Sequence, residues 1–342
     1  MSSCAPCKRR KARAKSRAGE ALEVSFRDVL RAWPLVRRYL HRTPLYRYAL
    51  LSTRLGFDAY VKHENHTPIG AFKVRGGVNL FANLADSQRA RGVITATRGN
   101  HGLSMAWCAR TFGSRAVMYV PKGNNPEKNA IMTSMGAEVV ESGRDFDEAR
   151  AEAEAHARNE RLRYVHAANE PLLIAGVGTY AMEIAEDLPD ADAVIVPIGG
   201  GSCIAGAVLA LRALRPDVQI IGVQAERACA FARSLESGKL ECIESADTFA
   251  DGLATRYAFE VPFSVVRGKI DRIVLVSEEE MREAVRLALE TTHNVAEGAA
   301  AAVYAAAWKL RDQLSGKRVV LVHTGQNIDR DTLRWAIGLF DA

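Results

Sequence analysis

The sequence predicts an α/β fold. From Ala59 onward, short apolar segments rich in β-branched residues alternate with segments of helical periodicity. Strands that are apolar on both faces are typical of parallel sheets covered by helices. A chain of 342 residues has room for about two domains. Because no linker rich in proline, glycine or serine divides it, we expect two domains that are interwoven along the chain.

The predicted strands are short apolar runs bounded by turn residues. The run Ala116–Val120, for example, is followed by Pro121. They are Ala59–Lys62, Gly92–Thr97, Ala116–Val120, Glu138–Val140, Ala193–Pro197, Gln219–Val223, Arg272–Val276 and Arg318–His323. Helical periodicity predicts the helices that lie between them, among them Leu103–Phe112, Phe146–Ala157, Ala205–Leu214, Ser277–Thr291 and Gly298–Leu314. Ser277 followed by Glu280 predicts a capping box, and a further helical run extends from Pro171 to Leu188.

The positive charge of the chain is confined to its beginning. The formal net charge is +6, and residues 1–19 contain seven lysines and arginines and no acidic residue, which leaves −1 for residues 20–342. We therefore expect no nucleic-acid partner for the body of the protein. Residues 1–19 are interpreted as a disordered basic tail, with targeting or polyanion binding as the alternative.

Composition also bears on the compartment. No run approaches the roughly 18 apolar residues that a membrane helix requires, and no secretory signal is recognisable, so no membrane association is expected. Six cysteines, four of them scattered, favour a reducing compartment, and we expect a cytoplasmic protein. Cys4 and Cys7 form a CxxC pair without further ligands at suitable spacing, so no metal site is predicted.

Four turns carry residues suited to chemistry, and the first contains a lysine. Lys73 lies between Phe72 and Val74 in a segment bounded by glycines. Burial would lower the pKa of this lysine and produce the neutral amine that a nucleophile needs. For a single lysine, a solvated surface position is the alternative.

The other three turns each follow a predicted strand. Thr95–Gly102 precedes a helix, whose first amides could bind a carboxylate, although a simple capped turn is the alternative. The consecutive glycines Gly199, Gly200 and Gly201, followed by Ser202, indicate a loop that binds phosphate. The last turn, Leu321–Asn327, offers the hydroxyl of Thr324 and side-chain amides that could orient a polar ring.

In combination and order, these turns resemble one family. The succession G-A-F-K-x-R-G, G-N-H-G, P-I-G-G-G and T-G-Q-N resembles the fold-type II pyridoxal-phosphate enzymes, and among them the threonine dehydratase and serine racemase group. The resemblance extends from Thr43 to Asn327 and includes Ile174–Thr179, Asp251–Ala254 and Val295–Ala299. It implies open twisted-sheet domains like those of the tryptophan synthase β subunit.

The resemblance also implies a role for individual residues. Lys73 matches the lysine that holds the cofactor covalently and acts in catalysis, and Phe72 matches the residue beside the cofactor ring. Asn100 matches the residue bonded to the ring hydroxyl oxygen, and Thr324 the residue at the pyridine nitrogen. The phosphate loop corresponds to Gly199, Gly200, Gly201, Ser202 and Cys203. The substrate carboxylate is expected at Thr97, Arg98, Gly99, Asn100 and His101.

The domain organisation implied by the family has a large cofactor-binding domain formed by residues 20–57 and 168–342. Residues 58–167 form the small domain between these two segments. The family also implies a homodimer or a larger homo-oligomer.

The reaction implied is the β-elimination of water from a β-hydroxy-α-amino acid, which gives a 2-oxo acid and ammonia. Threonine and serine are the expected substrates, with phenylserine and 3-hydroxyaspartate as further possibilities. Arg98 occupies the position where racemases need a hydroxyl, so racemisation is not expected, and Ala232 replaces a carboxylate of the racemase metal site. The alternatives are a β-replacement synthase and a non-catalytic amino-acid-binding protein.

Overall fold

The computed structural model describes residues 23–338. The predicted basic tail, residues 1–19, and its Cys4–Cys7 pair lie outside the described residues. Within the described part, the chain forms ten strands in two sheets, with helices between them. The predicted α/β fold is confirmed.

The larger sheet has six strands in the order β1-β2-β10-β7-β8-β9. Only β1 is antiparallel to its neighbour, and the other neighbouring strands are parallel. The smaller sheet is fully parallel and has the order β5-β4-β3-β6. The strands are β1 Leu45–Arg47, β2 Asp58–His63, β3 Val93–Ala96, β4 Ala116–Val120, β5 Glu138–Glu141, β6 Arg163–Tyr164, β7 Ala193–Pro197, β8 Gln219–Ala225, β9 Arg272–Val276 and β10 Arg318–His323.

Helices connect the strands and cover the sheets. They are α1 Phe26–Tyr39, α2 Ala49–Leu55, α3 Lys73–Ala82, α4 Asp86–Arg91, α5 Asn100–Phe112, α6 Pro126–Ser134, α7 Phe146–Glu160, α8 Pro171–Val177, α9 Thr179–Asp187, α10 Ser202–Leu214, α11 Ala230–Ser237, α12 Glu260–Val266, α13 Glu278–Thr292, α14 Gly298–Lys309 and α15 Arg330–Ala336. Among residues 23–338, no helix combines the length and apolarity that a membrane span requires.

Both faces of the larger sheet are buried. In β10, Val319 and Leu321 pack against α13 and α14, whereas Val320 and Val322 pack on the opposite face with α9 and α10. Successive side chains of a strand point to opposite faces, so a strand covered on both sides must be apolar throughout. This explains why β10 reads as a continuous apolar run in the sequence.

All eight predicted strands are present, and the capping box between Ser277 and Glu280 forms through hydrogen bonds of 2.7 and 3.1 Å. Two strands were not predicted, β1 and β6, which have three and two residues and are too short for a period-2 pattern. The predicted helix Gly298–Leu314 ends at Lys309, and Leu310 and Leu314 are buried in the turn that follows.

The helical run from Pro171 to Leu188 is divided into α8 and α9 at Gly178. A Cβ atom at Gly178 would lie 2.9 Å from Val29 Cγ2 and 3.1 Å from the carbonyl oxygen of Gly206. Contacts with α1 and α10 therefore require glycine at the junction, which periodicity along the chain does not reveal.

Residues 58–167, which are predicted to form the small domain, include one strand of the larger sheet. β2 begins at Asp58 and pairs in parallel with β10 in that sheet. Hydrophobic pattern indicates that a strand exists and not which strand it pairs with. Strands β3 to β6, which form the smaller sheet, all lie within residues 58–167. The division into a large and a small domain stays a prediction.

A buried ionic cluster joins the elements around Lys73. Arg75, two residues further along α3, donates hydrogen bonds of 2.7 and 2.9 Å to the two carboxylate oxygens of Glu64 and two bonds of 2.8 Å to those of Glu183. Lys62 Nζ lies 2.6 Å from Glu183 Oε2 and 2.7 Å from the carbonyl oxygen of Thr43. Lys62, Glu64, Arg75 and Glu183 are all buried, and the two cations balance the two carboxylates.

Replacing Arg75 with methionine is expected to destabilise the protein by about 3–5 kcal/mol, because two buried carboxylates would lose their main cation. Urea unfolding of the purified protein measures this. Arg31→Met is the matched control, since the Arg31 side chain is 71% exposed and pairs with Asp28 on its own helix. Equal unfolding midpoints for the Arg75 variant and the wild type would show that the cluster does not stabilise the fold.

Candidate active site

The predicted site residues all line one cavity of about 420 Å³. The cavity lies where β3 of the smaller sheet and β7 and β10 of the larger sheet end. The carboxyl ends of parallel strands are the usual position of ligand sites in open α/β sheets. The structure thus brings together segments that are far apart in sequence, and the roles of the individual residues stay predictions.

Lys73 is the first residue of α3 and projects into the cavity. Its Nζ donates hydrogen bonds to the carbonyl oxygen of Ala167 at 3.0 Å and to Ser202 Oγ at 3.3 Å. Burial lowers the pKa of Lys73 to about 8, although the nearby Cys203 and Glu297 oppose this shift. A substantial fraction of neutral amine is therefore available near physiological pH.

The turn before Lys73 is attached to the turn after β10. The backbone N–H of Phe72 donates to the carbonyl oxygen of Thr324 at 3.0 Å, and Ala71 forms an antiparallel bridge with Gly325. Lys73 Nζ lies 5.3 Å from the centre of the Phe72 ring. These contacts fix Lys73 relative to Thr324, although the two residues come from different motifs.

The glycine loop after β7 has no space for side chains. A Cβ atom added to Gly199 would lie 2.0 Å from the carbonyl oxygen of Gly252. One added to Gly200 would lie 2.6 Å from Ala168 Cβ, and one added to Gly201 would lie 2.7 Å from Pro262 Cβ. Gly201 also has a φ of 97°, which L-residues rarely adopt. The loop leads into the N-terminus of the 13-residue helix α10, so backbone amides and the helix dipole there favour an anion.

Ser202 and Cys203 complete this loop as the first two residues of α10. The Cys203 thiol lies 3.6 Å from the hydroxyl of the buried Tyr180, and burial raises the pKa of Cys203 to about 12. Cys203 is therefore a neutral thiol, and its backbone N–H is the part suited to binding phosphate.

The loop after β3 is arranged to leave amides free. Thr97 Oγ1 accepts hydrogen bonds from the N–H groups of Gly99 and Gly102, at 3.0 and 2.9 Å. Asn100 and His101 are the first two residues of α5, and their N–H groups have no acceptor within the helix. Burial lowers the pKa of His101 to about 3, so its ring is neutral. This loop offers backbone donors to a carboxylate.

Two cations flank this loop. Arg98 is exposed and makes no hydrogen bond or ion pair with any residue of the part of the chain that the structure describes. Its side chain lines the active-site cavity and also a second cavity beside α6. Lys128, by contrast, is buried against Gly99 and forms an ion pair of 2.7 Å with Asp251. Arg98 is thus the unpaired cation at the mouth of the site.

Asn100 belongs to a chain of polar side chains at the back of the cavity. Its Nδ2 lies 2.8 and 2.9 Å from the two carboxylate oxygens of Glu297, and its Oδ1 accepts a bond of 2.8 Å from Asn327 Nδ2. Glu297 is 8% exposed, and burial raises its pKa. A Cβ atom at Gly325 would lie 2.5 Å from Glu297 Oε1, which accounts for the glycine in T-G-Q-N.

The hydroxyl of Thr324 is a buried polar group at the wall of the cavity. Thr324 is 1% exposed and lines the cavity, yet its Oγ1 has no hydrogen-bond partner among residues 23–338. Buried hydroxyls are almost always hydrogen-bonded, and an exception at a cavity wall indicates that a bound molecule supplies the partner.

Glu297, Asn327 and the Lys128–Asp251 pair were not predicted as site residues. Glu297 and Asp251 lie in motifs that supported the family resemblance, and Asn327 ends the fourth turn. Their place in these motifs therefore indicated that they could belong to the site. The sequence did not reveal which side chains contact each other, since Asn100 and Glu297 are separated by 197 positions.

Comparison with known proteins identifies the family. Residues 36–325 match the model of the pyridoxal-phosphate-dependent enzyme family. The chain belongs to this family. Its cofactor is accordingly pyridoxal phosphate, and the predicted resemblance to the threonine dehydratase and serine racemase group is confirmed by the relatives described next.

Several members of the family are similar over most of their length. The L-threonine ammonia-lyase of Thermotoga maritima is 38% identical over 306 residues, which cover 90% of this chain and 76% of the relative. The catabolic L-threonine dehydratase TdcB of Escherichia coli is 32% identical, with coverage of 94% and 98%. The processed form of threonine deaminase isoform 2 from Solanum lycopersicum superimposes with a TM-score of 0.87 at 31% identity, with 92% of each chain covered.

The residues of the cavity fit the family's cofactor. The glycine loop before α10 would hold the phosphate, Lys73 the aldehyde carbon, and Thr324 Oγ1 the pyridine nitrogen. Asn100 would donate to the ring oxygen, and Phe72 would lie beside the ring. The unpartnered hydroxyl of Thr324 is the observation of this structure that the cofactor would account for.

The lowered pKa of Lys73 predicts how the apoprotein captures its cofactor. Only the neutral amine attacks an aldehyde, so the rate of pyridoxal-phosphate capture should rise about tenfold between pH 7 and pH 9 and level off above pH 9. Stopped-flow absorbance of the apoprotein mixed with the cofactor measures this rate. A rate that is still rising steeply at pH 10 would show that the amine has an ordinary pKa.

The unpartnered hydroxyl predicts a loss of cofactor affinity when it is removed. Thr324→Val should weaken cofactor binding about tenfold, the value of one hydrogen bond. Fluorescence titration of the apoprotein with pyridoxal phosphate measures the affinity. Thr291→Val is the control and should retain the affinity, since that hydroxyl bonds to the carbonyl oxygen of Leu287 at 2.6 Å. An unchanged affinity of Thr324→Val would contradict the assignment.

Proposed function

We propose that this protein is an ammonia-lyase that eliminates water from a β-hydroxy-α-amino acid and releases a 2-oxo acid and ammonia. The observation that carries the proposal is the group at the expected pyridine-nitrogen position, which is the Thr324 hydroxyl and not a carboxylate. A hydroxyl leaves the ring nitrogen largely unprotonated, which disfavours transamination and leaves elimination as the natural outcome. The names of the relatives, threonine ammonia-lyase and threonine dehydratase, support the same reaction.

The substrate carboxylate is proposed to bind at the start of α5. The N–H groups of Asn100 and His101 are available there, and the helix dipole adds to their attraction for an anion. Thr97 fixes the loop through its bonds to Gly99 and Gly102, so these donors are already in place before the substrate arrives. A preformed site of this kind reduces the entropy lost on binding.

Lys73 is proposed to move the proton. Bound pyridoxal phosphate supplies an electron sink for the bond pair left at the substrate Cα. The neutral amine of Lys73 accepts the α-proton, and its lowered pKa makes the neutral form available. Ser202 Oγ, 3.3 Å from Nζ, and the carbonyl oxygen of Ala167 hold the amine in place.

The bonds of the overall reaction balance without an added oxidant or reductant. The Cα–H bond and the Cβ–O bond break, and the β-hydroxyl leaves together with a proton as water. A second water molecule then hydrolyses the resulting enamine at Cα, which releases a 2-oxo acid and ammonia.

Threonine and serine are the proposed substrates, as the names of the relatives suggest. Phenylserine and 3-hydroxyaspartate are further candidates. Arg98 supports including the dicarboxylic substrate, since an unpaired guanidinium at the cavity mouth could bind a second carboxylate. Arg98 also stands where a racemase needs a hydroxyl, which supports elimination without racemisation.

We further propose a cytoplasmic homodimer or larger homo-oligomer. Cys108 and Cys203 are buried free thiols, which suits a reducing compartment. Tyr46 in the edge strand β1 and Leu50 in α2 are large apolar side chains that are about half exposed, and they are candidates for contacts between subunits. Light scattering coupled to size-exclusion chromatography measures the oligomeric state.

A substrate screen of the holoenzyme tests the proposed reaction. Threonine or serine should yield ammonia and a 2-oxo acid in equal amounts without any added nucleophile. Lys73→Ala should reduce turnover by about a thousandfold, because the base is lost. Lys122→Ala, which alters an exposed lysine beside the second cavity, is the control and should retain activity.

Two results would contradict the proposal. Product formation only after addition of a thiol would indicate a β-replacement synthase. Changes in cofactor absorbance with amino acids but no product from any of the four substrates would indicate a non-catalytic amino-acid-binding protein.

A further inference from the structure

Glu297 is a buried carboxylate that the proposed reaction does not use. It lies in the turn before α14, and its two oxygens lie 2.8 and 2.9 Å from a single atom, Asn100 Nδ2. Its backbone N–H donates to the carbonyl oxygen of Gly325 at 3.1 Å, which attaches this turn to the turn that contains Thr324. Burying an acidic group is unfavourable, so its position requires compensating interactions, which the Asn100 side chain, the charge of Lys128 and a backbone hydrogen bond from Asn327 provide.

The neighbours of Asn100 permit only one orientation of its side-chain amide. Asn327 Nδ2 donates to the carbonyl oxygen of Ile69 at 2.8 Å and to Asn100 Oδ1 at 2.8 Å. An acceptor, Glu297, therefore stands on one side of the Asn100 amide and a donor, Asn327, on the other. Rotating the amide by 180° would place oxygen against oxygen and N–H against N–H, at the cost of both hydrogen bonds.

This arrangement determines what Asn100 offers to the cavity. Its oxygen is engaged by Asn327, whereas its NH₂ group has two hydrogens and Glu297 is its only acceptor within residues 23–338. A molecule in the cavity can thus receive a hydrogen bond from Asn100. A donor stabilises the ionised form of a ring hydroxyl, and an acceptor would stabilise the neutral form.

We propose that Glu297 is a positioning residue that, together with Asn327, holds Asn100 as a hydrogen-bond donor and thereby keeps the ring oxygen of the cofactor ionised. The inference rests on the proposed role of Asn100 toward pyridoxal phosphate. It assigns Glu297 no contact with the substrate. The inference gives the T-G-Q-N turn two functions, since Asn327 orients Asn100 and Thr324 faces the ring nitrogen.

The test uses the absorbance of the bound cofactor, which differs between the ionised and the neutral ring oxygen. Glu297→Gln keeps the shape of the side chain but adds a donor, so both orientations of Asn100 become possible. We expect a shift of absorbance toward the shorter wavelength of the neutral form and a loss of cofactor affinity of about tenfold, the value of one hydrogen bond. Glu279→Gln removes an acid that is 61% exposed on α13 and should change neither.

A double variant makes the test directional. Glu297→Gln with Asn327→Asp exchanges donor and acceptor on the two sides of Asn100 while retaining one carboxylate. It should reverse the amide and shift the absorbance further than Glu297→Gln alone. A merely structural role predicts instead that absorbance stays at the wild-type wavelength while the urea midpoint falls.

Wild-type absorbance and affinity in both Glu297 variants would overturn the inference. A double variant whose absorbance is closer to the wild-type absorbance than that of Glu297→Gln would also overturn it. If one variant does not fold, the other decides by the same readouts. Neither readout requires a substrate, so a holoenzyme that yields no 2-oxo acid would refute the proposed reaction and leave this test intact.

Discussion

The position of Lys73 depends on the buried ionic cluster around Arg75. Both residues lie in the first turn of α3, and Arg75 binds the carboxylates of Glu64, after β2, and of Glu183, in α9. Charges buried without partners are strongly unfavourable, so these segments can be buried together only when the cluster is complete. The start of α3 is thereby fixed to the larger sheet, and with it the lysine that projects into the cavity.

Two cations in the same turn consequently have opposite properties. Arg75 contacts two carboxylates, and these raise its pKa, so it remains charged. Lys73 contacts a carbonyl oxygen and a hydroxyl but no carboxylate, so burial lowers its pKa to about 8. The two cations differ in the presence or absence of an adjacent carboxylate, which is why the pKa of Arg75 is raised and that of Lys73 is lowered.

The remainder of the cavity is built from neutral donors with defined directions. Backbone amides face the expected phosphate and carboxylate positions, Thr324 has a hydroxyl without a partner, and Asn100 is held between Glu297 and Asn327. Asn100 is positioned by Glu297 and Asn327, and the start of α5 by the bonds of Thr97 to Gly99 and Gly102. Groups held in this way need no rearrangement when charge develops on a bound molecule, which is the arrangement that favours catalysis.

The sequence alone determined the fold class, eight of the ten strands among residues 23–338 and thirteen of the residues that line the cavity, because apolar periodicity and turn motifs are local properties of the chain. Only the tertiary structure decided that β2 pairs with β10, that Gly178 divides α8 from α9, and that Asn100 contacts Glu297. It also decided that Lys73 is partly buried and has no adjacent carboxylate, whereas Arg75 is buried beside two. The physical reason is the same in each case, since pairing, close packing and pKa depend on which groups meet in space, and these groups are separated along the chain by up to 260 residues.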